Sequence, residues 1–375
     1  MPTIDFIFFD AGGGHRAAAT ALKSVVDAQN RGWDVRLVNL QEVLDSLDIF
    51  RKITGLRLED VYNTLLAKGW TLGTEYLLPA MHGVIRVYHR AQVKVLTRHW
   101  KESKPDMVVS LVPNFNRSMW QALKAANPKI PYVTILTDMA DYPPHFWMEK
   151  QEQYFICGTE RAEQQAIDQG HDRSRVFRTS GMILRPKFYD EIPMDRDEEC
   201  RKAGLDPTKP IGLVLFGGQG SSVMLEIAER LSERQLILIC GKNEKLASRL
   251  RTMKRKAAAH VVGFTSEVPY FMKLADYFVG KPGPGSISEA LRMRLPVIVE
   301  RNAWTLPQER YNAEWIEENQ VGFVLKNFKS IASTVDRLLT EEALSRFRAN
   351  AASQDNRAVF EIPDLLAKIQ EAAGR

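Results

Sequence analysis

The sequence predicts an α/β protein built as two Rossmann-like domains with a cleft between them. Three observations carry that reading. Short runs rich in Val, Ile and Phe alternate with longer helical patterns along the chain, which is the rhythm of parallel sheets covered by helices. A proline-containing charged stretch interrupts the rhythm near the middle. The first apolar run on each side of it ends in a glycine-rich turn.

In the first half, strands are expected at Ile4 to Asp10, Asp34 to Leu40, Met107 to Val112, Tyr132 to Thr137, Gln153 to Cys157 and Arg175 to Ser180. Residues Met182 to Thr208 carry Arg185-Pro186, Ile192-Pro193 and Asp206-Pro207 with charges between them, the composition of an interdomain connector. A second set of strands is expected at Ile211 to Phe216, Gln235 to Cys240, His260 to Gly263, Tyr277 to Gly280, Pro296 to Glu300 and Gly322 to Leu325. The chain of 375 residues, 45% hydrophobic and 26% charged, is long enough for two cores. The expected domains are 1–185 and 186–375. The last helix is a candidate to cross back to the first domain.

Composition narrows the classes. Cys157, Cys200 and Cys240 are widely spaced and contain no C-x-x-C pair, which fits neither a disulfide framework nor a zinc site. Met1 to Asp10 runs straight into an apolar strand without the features of an export signal, so a cytoplasmic location is expected. Charges interrupt every apolar stretch before it reaches the roughly 20 residues of a membrane-spanning helix, so membrane contact would be peripheral.

In open parallel sheets, ligands bind beyond the carboxyl ends of the strands, where loops lead into helix N-termini. The first strand ends in Asp10-Ala11-Gly12-Gly13-Gly14-His15-Arg16-Ala17. Gly12, Gly14 and Ala17 match a loose dinucleotide pattern, but the second strand ends Val38-Asn39-Leu40 with no acid for a ribose, which argues against a nicotinamide cofactor. A histidine at such a turn is a candidate general base, against the plainer reading of a tight turn with an incidental histidine.

In the second half, Phe216-Gly217-Gly218-Gln219-Gly220-Ser221-Ser222 leads into an apolar helix, so bare amides and a helix dipole would face a diphosphate. A stiff turn follows at Gly280-Lys281-Pro282-Gly283-Pro284-Gly285-Ser286-Ile287-Ser288-Glu289. Glu289 is expected on about the first turn of the next helix, where its carboxylate would accept the ribose hydroxyls while Gly285 and Ser286 leave room. The plainer reading is an acid that complements the dipole. Beyond the strand at Leu295 to Val299, the amide-carboxylate pair Gln308-Glu309 is suited to sugar hydroxyls.

With these elements in order, the sequence resembles glycosyltransferase family 28, and within it the monogalactosyldiacylglycerol synthases and processive diacylglycerol glycosyltransferases. Its carriers are the Gly12 to Ala17 turn, Thr137-Asp138, Arg185-Pro186, Gly217 to Gly220, Gly283 to Ala290, and Gln308-Glu309 followed by Asn312. The resemblance implies a GT-B architecture, with a UDP-hexose donor on the C-terminal side and a diacylglycerol-type acceptor on the N-terminal side. It implies inversion, no metal and no further cofactor. It assigns His15 as base, Gly218, Gln219, Gly220 and Ser221 to the diphosphate, Phe264-Thr265 to the uracil, Glu289 to the ribose and Gln308 with Glu309 to the hexose. Gly14 and Arg185 complete the donor-binding set. Arg301-Asn302-Ala303-Trp304 departs from the plant enzymes.

The chemistry is coherent on its own terms. Histidine has an unperturbed pKa near 6.5, suited to taking an acceptor proton, and Asp138 at a strand end is placed to orient it. The single Asp-x-Asp candidate for a metal, Asp195-Arg196-Asp197, lies in the charged connector and reads as surface. Val84 to Lys101 contains no acid and spaces Arg86, Arg90, Lys94, Arg98 and Lys101 along one arc of a helix, with Ile85, Tyr88, Val95, Leu96 and Trp100 largely opposite. That division suits an anionic bilayer surface, against a plain solvated face. Trp70, Leu72, Tyr76, Leu77, Leu78 and Met81 add apolar groups upstream. No nucleic-acid reader motif accompanies the stripe. Alternatives are transfer to another lipid such as a polyprenyl-linked intermediate, a nucleotide-sugar epimerase, and a non-catalytic two-lobed binding protein.

Overall fold

The computed structural model describes residues 1–10, 13–47, 83 and 85–374, so the proposed apolar segment from Trp70 to Met81 lies outside the described residues. The chain divides into two compact units. Among the described residues, one holds 1–47, 83–186 and 356–374, the other 187–355.

The first unit is a parallel sheet of β1 (Thr3–Phe8), β2 (Asp34–Asn39), β3 (Met107–Ser110), β4 (Tyr132–Ile135), β5 (Tyr154–Cys157) and β6 (Val176–Arg178), ordered β2-β1-β3-β4-β5-β6. Every residue of β3 and β4 is buried, as a sheet covered on both faces requires. The strands end a residue or two before the apolar runs do. Leu111 still donates its amide to the Ile7 carbonyl at 2.9 Å, so the run beyond β3 carries the chain over the sheet's edge. The helix His89–Ser103 lays Leu96 and Trp100 into a core with Met119 and Tyr132.

The last helix, Ala358–Ala373, packs against the helix Gly14–Ala28. Arg31 pairs with Asp364 at 2.5 Å, and the Ser180 amide and hydroxyl donate to Glu361 at 2.8 and 2.7 Å. The C-terminal segment is thus fastened to the first unit by burial and by polar contacts in the N-terminal half of the helix.

The second unit is a parallel sheet of β7 (Ile211–Leu215), β8 (Gln235–Ile239), β9 (Ala259–Val262), β10 (Tyr277–Gly280), β11 (Val297–Glu300) and β12 (Gly322–Leu325), ordered β12-β11-β10-β7-β8-β9. The stretch read as connector is more ordered than its composition predicts. It contains the helix Arg196–Lys202, capped by Asp195, whose carboxylate accepts the Asp197 and Glu198 amides at 3.0 and 3.2 Å. Arg196 bonds Asp276 at 3.0 Å and ties that helix to the sheet. Asp195 and Asp197 are therefore a helix cap and a first-turn acid, which accounts for an Asp-x-Asp spacing without a ligand.

Strand order also locates the sites. Order reverses between β1 and β3 in the first sheet and between β7 and β10 in the second. At such switch points the flanking loops diverge and leave a crevice over the strand ends.

Candidate active site

In the first unit, the turn after β1 delivers His15. Gly13 caps the helix Gly14–Ala28 with φ of 79°, a left-handed conformation that costs glycine no Cβ clash. Buried Ala18 and Ala19 let that helix lie close to the sheet. His15 is thereby held in the first turn, at the switch point beside the end of β3.

Its surroundings favour neutral imidazole. The ring lies 6.0 Å from the Trp147 ring, and desolvation pushes the pKa down to about 4, while a hydrogen bond with the Leu111 backbone pulls the other way. The positive end of the helix dipole adds to the cost of protonation. The expected hydrogen bond to Asp138 is not what meets Nδ1. Thr137 Oγ1 lies 3.1 Å from that nitrogen. Asp138 Oδ2 accepts the indole N–H of Trp147 at 2.8 Å. Asp138 therefore acts on the histidine's wall: it fixes Trp147, and Trp147 packs on His15. Backbone geometry explains the change, because adjacent residues at a strand end point different ways.

Asp141, the next acid along, is buried and its pKa is raised by desolvation. It accepts the Trp147 amide at 2.8 Å and shapes the loop that carries the tryptophan. Arg185 is half-buried and lies one residue before the short turn Pro186–Phe188.

The second unit gathers its residues on the carboxyl edge of its sheet. After β7, Gly217 and Gly220 take φ of 71° and 63°, and a Cβ on Gly220 would fall 2.5 Å from the Cys240 carbonyl. Gly218 and Gln219 are exposed and Ser221 is half-buried, just ahead of the helix Val223–Arg230. This loop presents bare backbone at a helix start. After β9, Phe264 is 65% exposed, and Thr265 accepts the Glu267 amide at 2.9 Å in a turn before the helix Val268–Leu274.

After β10, the helix Pro284–Arg292 starts with Gly283 as its cap, which puts Gly285 and Ser286 in the first turn and Glu289 in the second. That corrects the expectation of a first-turn acid, and it weakens the dipole reading, since the dipole's effect fades within one turn. Gln308 and Glu309 sit in a single 3₁₀ turn, Pro307–Glu309, rather than in a regular helix. Gln308 is half-buried, whereas Glu309 is buried and pairs with Lys281 at 2.7 Å. Asn312 Nδ2 donates to the Pro282 carbonyl at 2.8 Å and ties the two loops together.

Three residues escaped sequence reasoning. Trp147 gave no signal because it lies in an irregular loop. Lys281 was quoted within its turn but given no role, although a lysine directly after a buried strand is a recurrent place for a charge. Lys242, after β8, sits on the Gly218 carbonyl through its amide at 2.9 Å.

Comparison with known proteins agrees with this layout. A family model for monogalactosyldiacylglycerol synthase matches residues 15–182, and one for the glycosyltransferase family 28 C-terminal domain matches 213–368. The chain is 27% identical to probable monogalactosyldiacylglycerol synthase 2, chloroplastic, of Oryza sativa subsp. japonica, over 96% of its length and 79% of the relative's. It is 27% identical to monogalactosyldiacylglycerol synthase 3, chloroplastic, of Arabidopsis thaliana, over 96% of its length and 80% of the relative's. In fold it is similar to the crystal structure of MurG from Acinetobacter baumannii, with a TM-score of 0.64 at 13% identity, covering 98% of this chain and 100% of that one. With family models matched in both units and relatives of one kind matched over 96% of this chain, the chain belongs to glycosyltransferase family 28 and is a GT-B glycosyltransferase of the monogalactosyldiacylglycerol-synthase type.

Proposed function

We propose that the protein transfers a hexose from a UDP-sugar to the hydroxyl of diacylglycerol or a glycosyldiacylglycerol, with inversion and without a metal, at the cytoplasmic surface of a membrane. The observation that supports this reading is His15 in the first turn of the helix that follows β1, at the first sheet's switch point, with Thr137 Oγ1 3.1 Å from its Nδ1. The relatives' names supply the acceptor class. His15 takes the acceptor proton as the acceptor oxygen bonds the anomeric carbon. The carbon–oxygen bond to the diphosphate breaks on the opposite face, and UDP leaves with the electron pair. Amides of Gly218 to Ser221 and the helix start behind them receive the departing charge. Glu289 holds the ribose, Phe264 and Thr265 the uracil, and Gln308 with Glu309 the hexose. Gly14 and Arg185 complete the donor contacts. Incubation with diacylglycerol-containing anionic vesicles and a panel of UDP-sugars should give a hexosyl-diacylglycerol by mass spectrometry from at least one donor. Products on a polyprenyl carrier alone would replace the acceptor.

Among the described residues, no helix is long and apolar enough to cross a membrane. The basic stripe is not one continuous helix, because a turn at Tyr88 separates Arg86 from the helix His89–Ser103; Arg86 and the helix's Arg90, Lys94, Arg98 and Lys101 are exposed, while Gln92, Leu96 and Trp100 of that helix are buried. Ile85, Tyr88 and Val95 are half-buried. The basic arc is thus free to meet headgroups, each well-placed cation adding about 1 kcal/mol. Replacing Arg86, Arg90, Lys94 and Arg98 with Gln should release the protein from anionic vesicles in a sedimentation assay without changing its melting temperature, and raised salt should mimic the loss. Equal partitioning of variant and wild type would mean that the arc is only solvated.

A further inference from the structure

We infer that Lys242 is the cation that neutralises the donor's diphosphate, an inference that rests on the UDP-sugar reading above. Lys242 follows β8, the neighbour of β7 in the sheet, so its loop stands directly beside the glycine turn that follows β7. The two loops interlock. The Lys242 amide donates to the Gly218 carbonyl at 2.9 Å. Gly241 has φ of 58°, and a Cβ there would collide with the same carbonyl. A backbone fixed this closely sets where the lysine side chain can start.

The side chain's end lies near an aromatic ring. Lys242 Nζ lies 5.5 Å from the centroid of the Phe264 ring, which follows β9. Phe264 is 65% exposed although large and apolar, and Lys242 is exposed without an ion pair among the described residues. Of the other lysines on this edge, Lys281 is engaged with Glu309, and Lys326 follows β12 at the far side of the sheet from β7 and β8. An ammonium held over an aromatic face keeps its remaining donors available. Between a loop of bare amides on one side and an exposed aromatic ring on the other, the chemistry that fits is a nucleoside diphosphate: base toward the ring, phosphates toward the amides and the ammonium.

During transfer, the bond from the anomeric carbon to the β-phosphate oxygen breaks and its electron pair stays on UDP. Negative charge therefore grows on the diphosphate as the glycosidic bond forms. A point charge at the loop's edge stabilises that growth more than it stabilises the intact donor, so Lys242 should act on turnover as well as on binding.

The test is calorimetric titration of wild type, Lys242→Met and Lys242→Arg with uridine, UMP and UDP, alongside initial rates. For Lys242→Met, UDP affinity should fall about 10- to 100-fold, the scale of one charge-assisted contact, while uridine affinity changes by no more than about twofold. Lys242→Arg should recover most of the UDP affinity, and kcat should follow the same order. Unchanged UDP affinity in Lys242→Met overturns the inference. Equal losses for uridine and UDP also overturn it, since the lysine would then serve only the ring. If wild type itself fails to bind UDP, the donor reading fails first and is thereby told apart from the failure of Lys242 alone.

Discussion

His15→Ala should lower turnover by about 10² to 10⁴ while leaving UDP affinity nearly unchanged, because general-base contributions are of that size and the imidazole is built into the unit without the donor loops. The pH dependence makes this more specific. Desolvation holds the folded pKa at about 4, below the ordinary value near 6.5. The folded protein therefore keeps the basic form through neutrality, and kcat/KM of wild type should stay level as pH falls through 6 and decline only toward about 4. His15→Ala should lose that limb. The same shift has a sign for stability: between pH 6.5 and about 4 the unfolded chain takes up the proton first, so the fold loses stability as pH falls through that window and keeps it above. A variant with near wild-type turnover and confirmed folding would move the base elsewhere. Asp138 is then the first replacement to test and Asp141 the second; each already accepts a hydrogen bond from Trp147, Asp138 from the indole and Asp141 from the amide.

Glu289→Ala should weaken UDP binding by about 10- to 100-fold, the loss expected when charge-assisted hydrogen bonds to two ribose hydroxyls disappear. It stands half-buried in the second turn of the helix Pro284–Arg292, which follows β10 on the carboxyl edge of the sheet where the donor is proposed to lie. Wild type should bind UDP more tightly than 2′,3′-dideoxy-UDP by the same factor, and the variant should not distinguish them. Equal binding of the two nucleotides by wild type would remove the ribose contact. A variant that lost affinity for both equally would instead point to a damaged turn at Gly283.

The strands were legible because parallel sheets covered on both faces demand continuous apolar runs, and β3, β4, β7 and β8 are such runs. Glycine turns were legible because the left-handed backbone that Gly13 and Gly220 adopt costs glycine no Cβ clash. Side-chain direction was not. Thr137 rather than Asp138 meets His15 Nδ1, and Trp147 reaches the histidine from an irregular loop ten residues further on; neither follows from periodicity. Composition also misled at 182–208, where prolines and charges that read as a linker instead flank a capped helix bonded to Asp276. Glu309 shows the same limit. Its pairing with Lys281 depends on β10 and β11 being neighbours in the sheet, a relation that the order along the chain leaves open.

The central claim is sugar transfer to a lipid hydroxyl, and its most direct measurement is UDP release from a UDP-hexose with and without diacylglycerol vesicles, in the presence of EDTA. The account predicts release that depends on diacylglycerol, equals the glycolipid formed and is unaffected by the chelator. Conversion of the donor to another nucleotide-sugar with no UDP released, or release indifferent to the lipid, would contradict it.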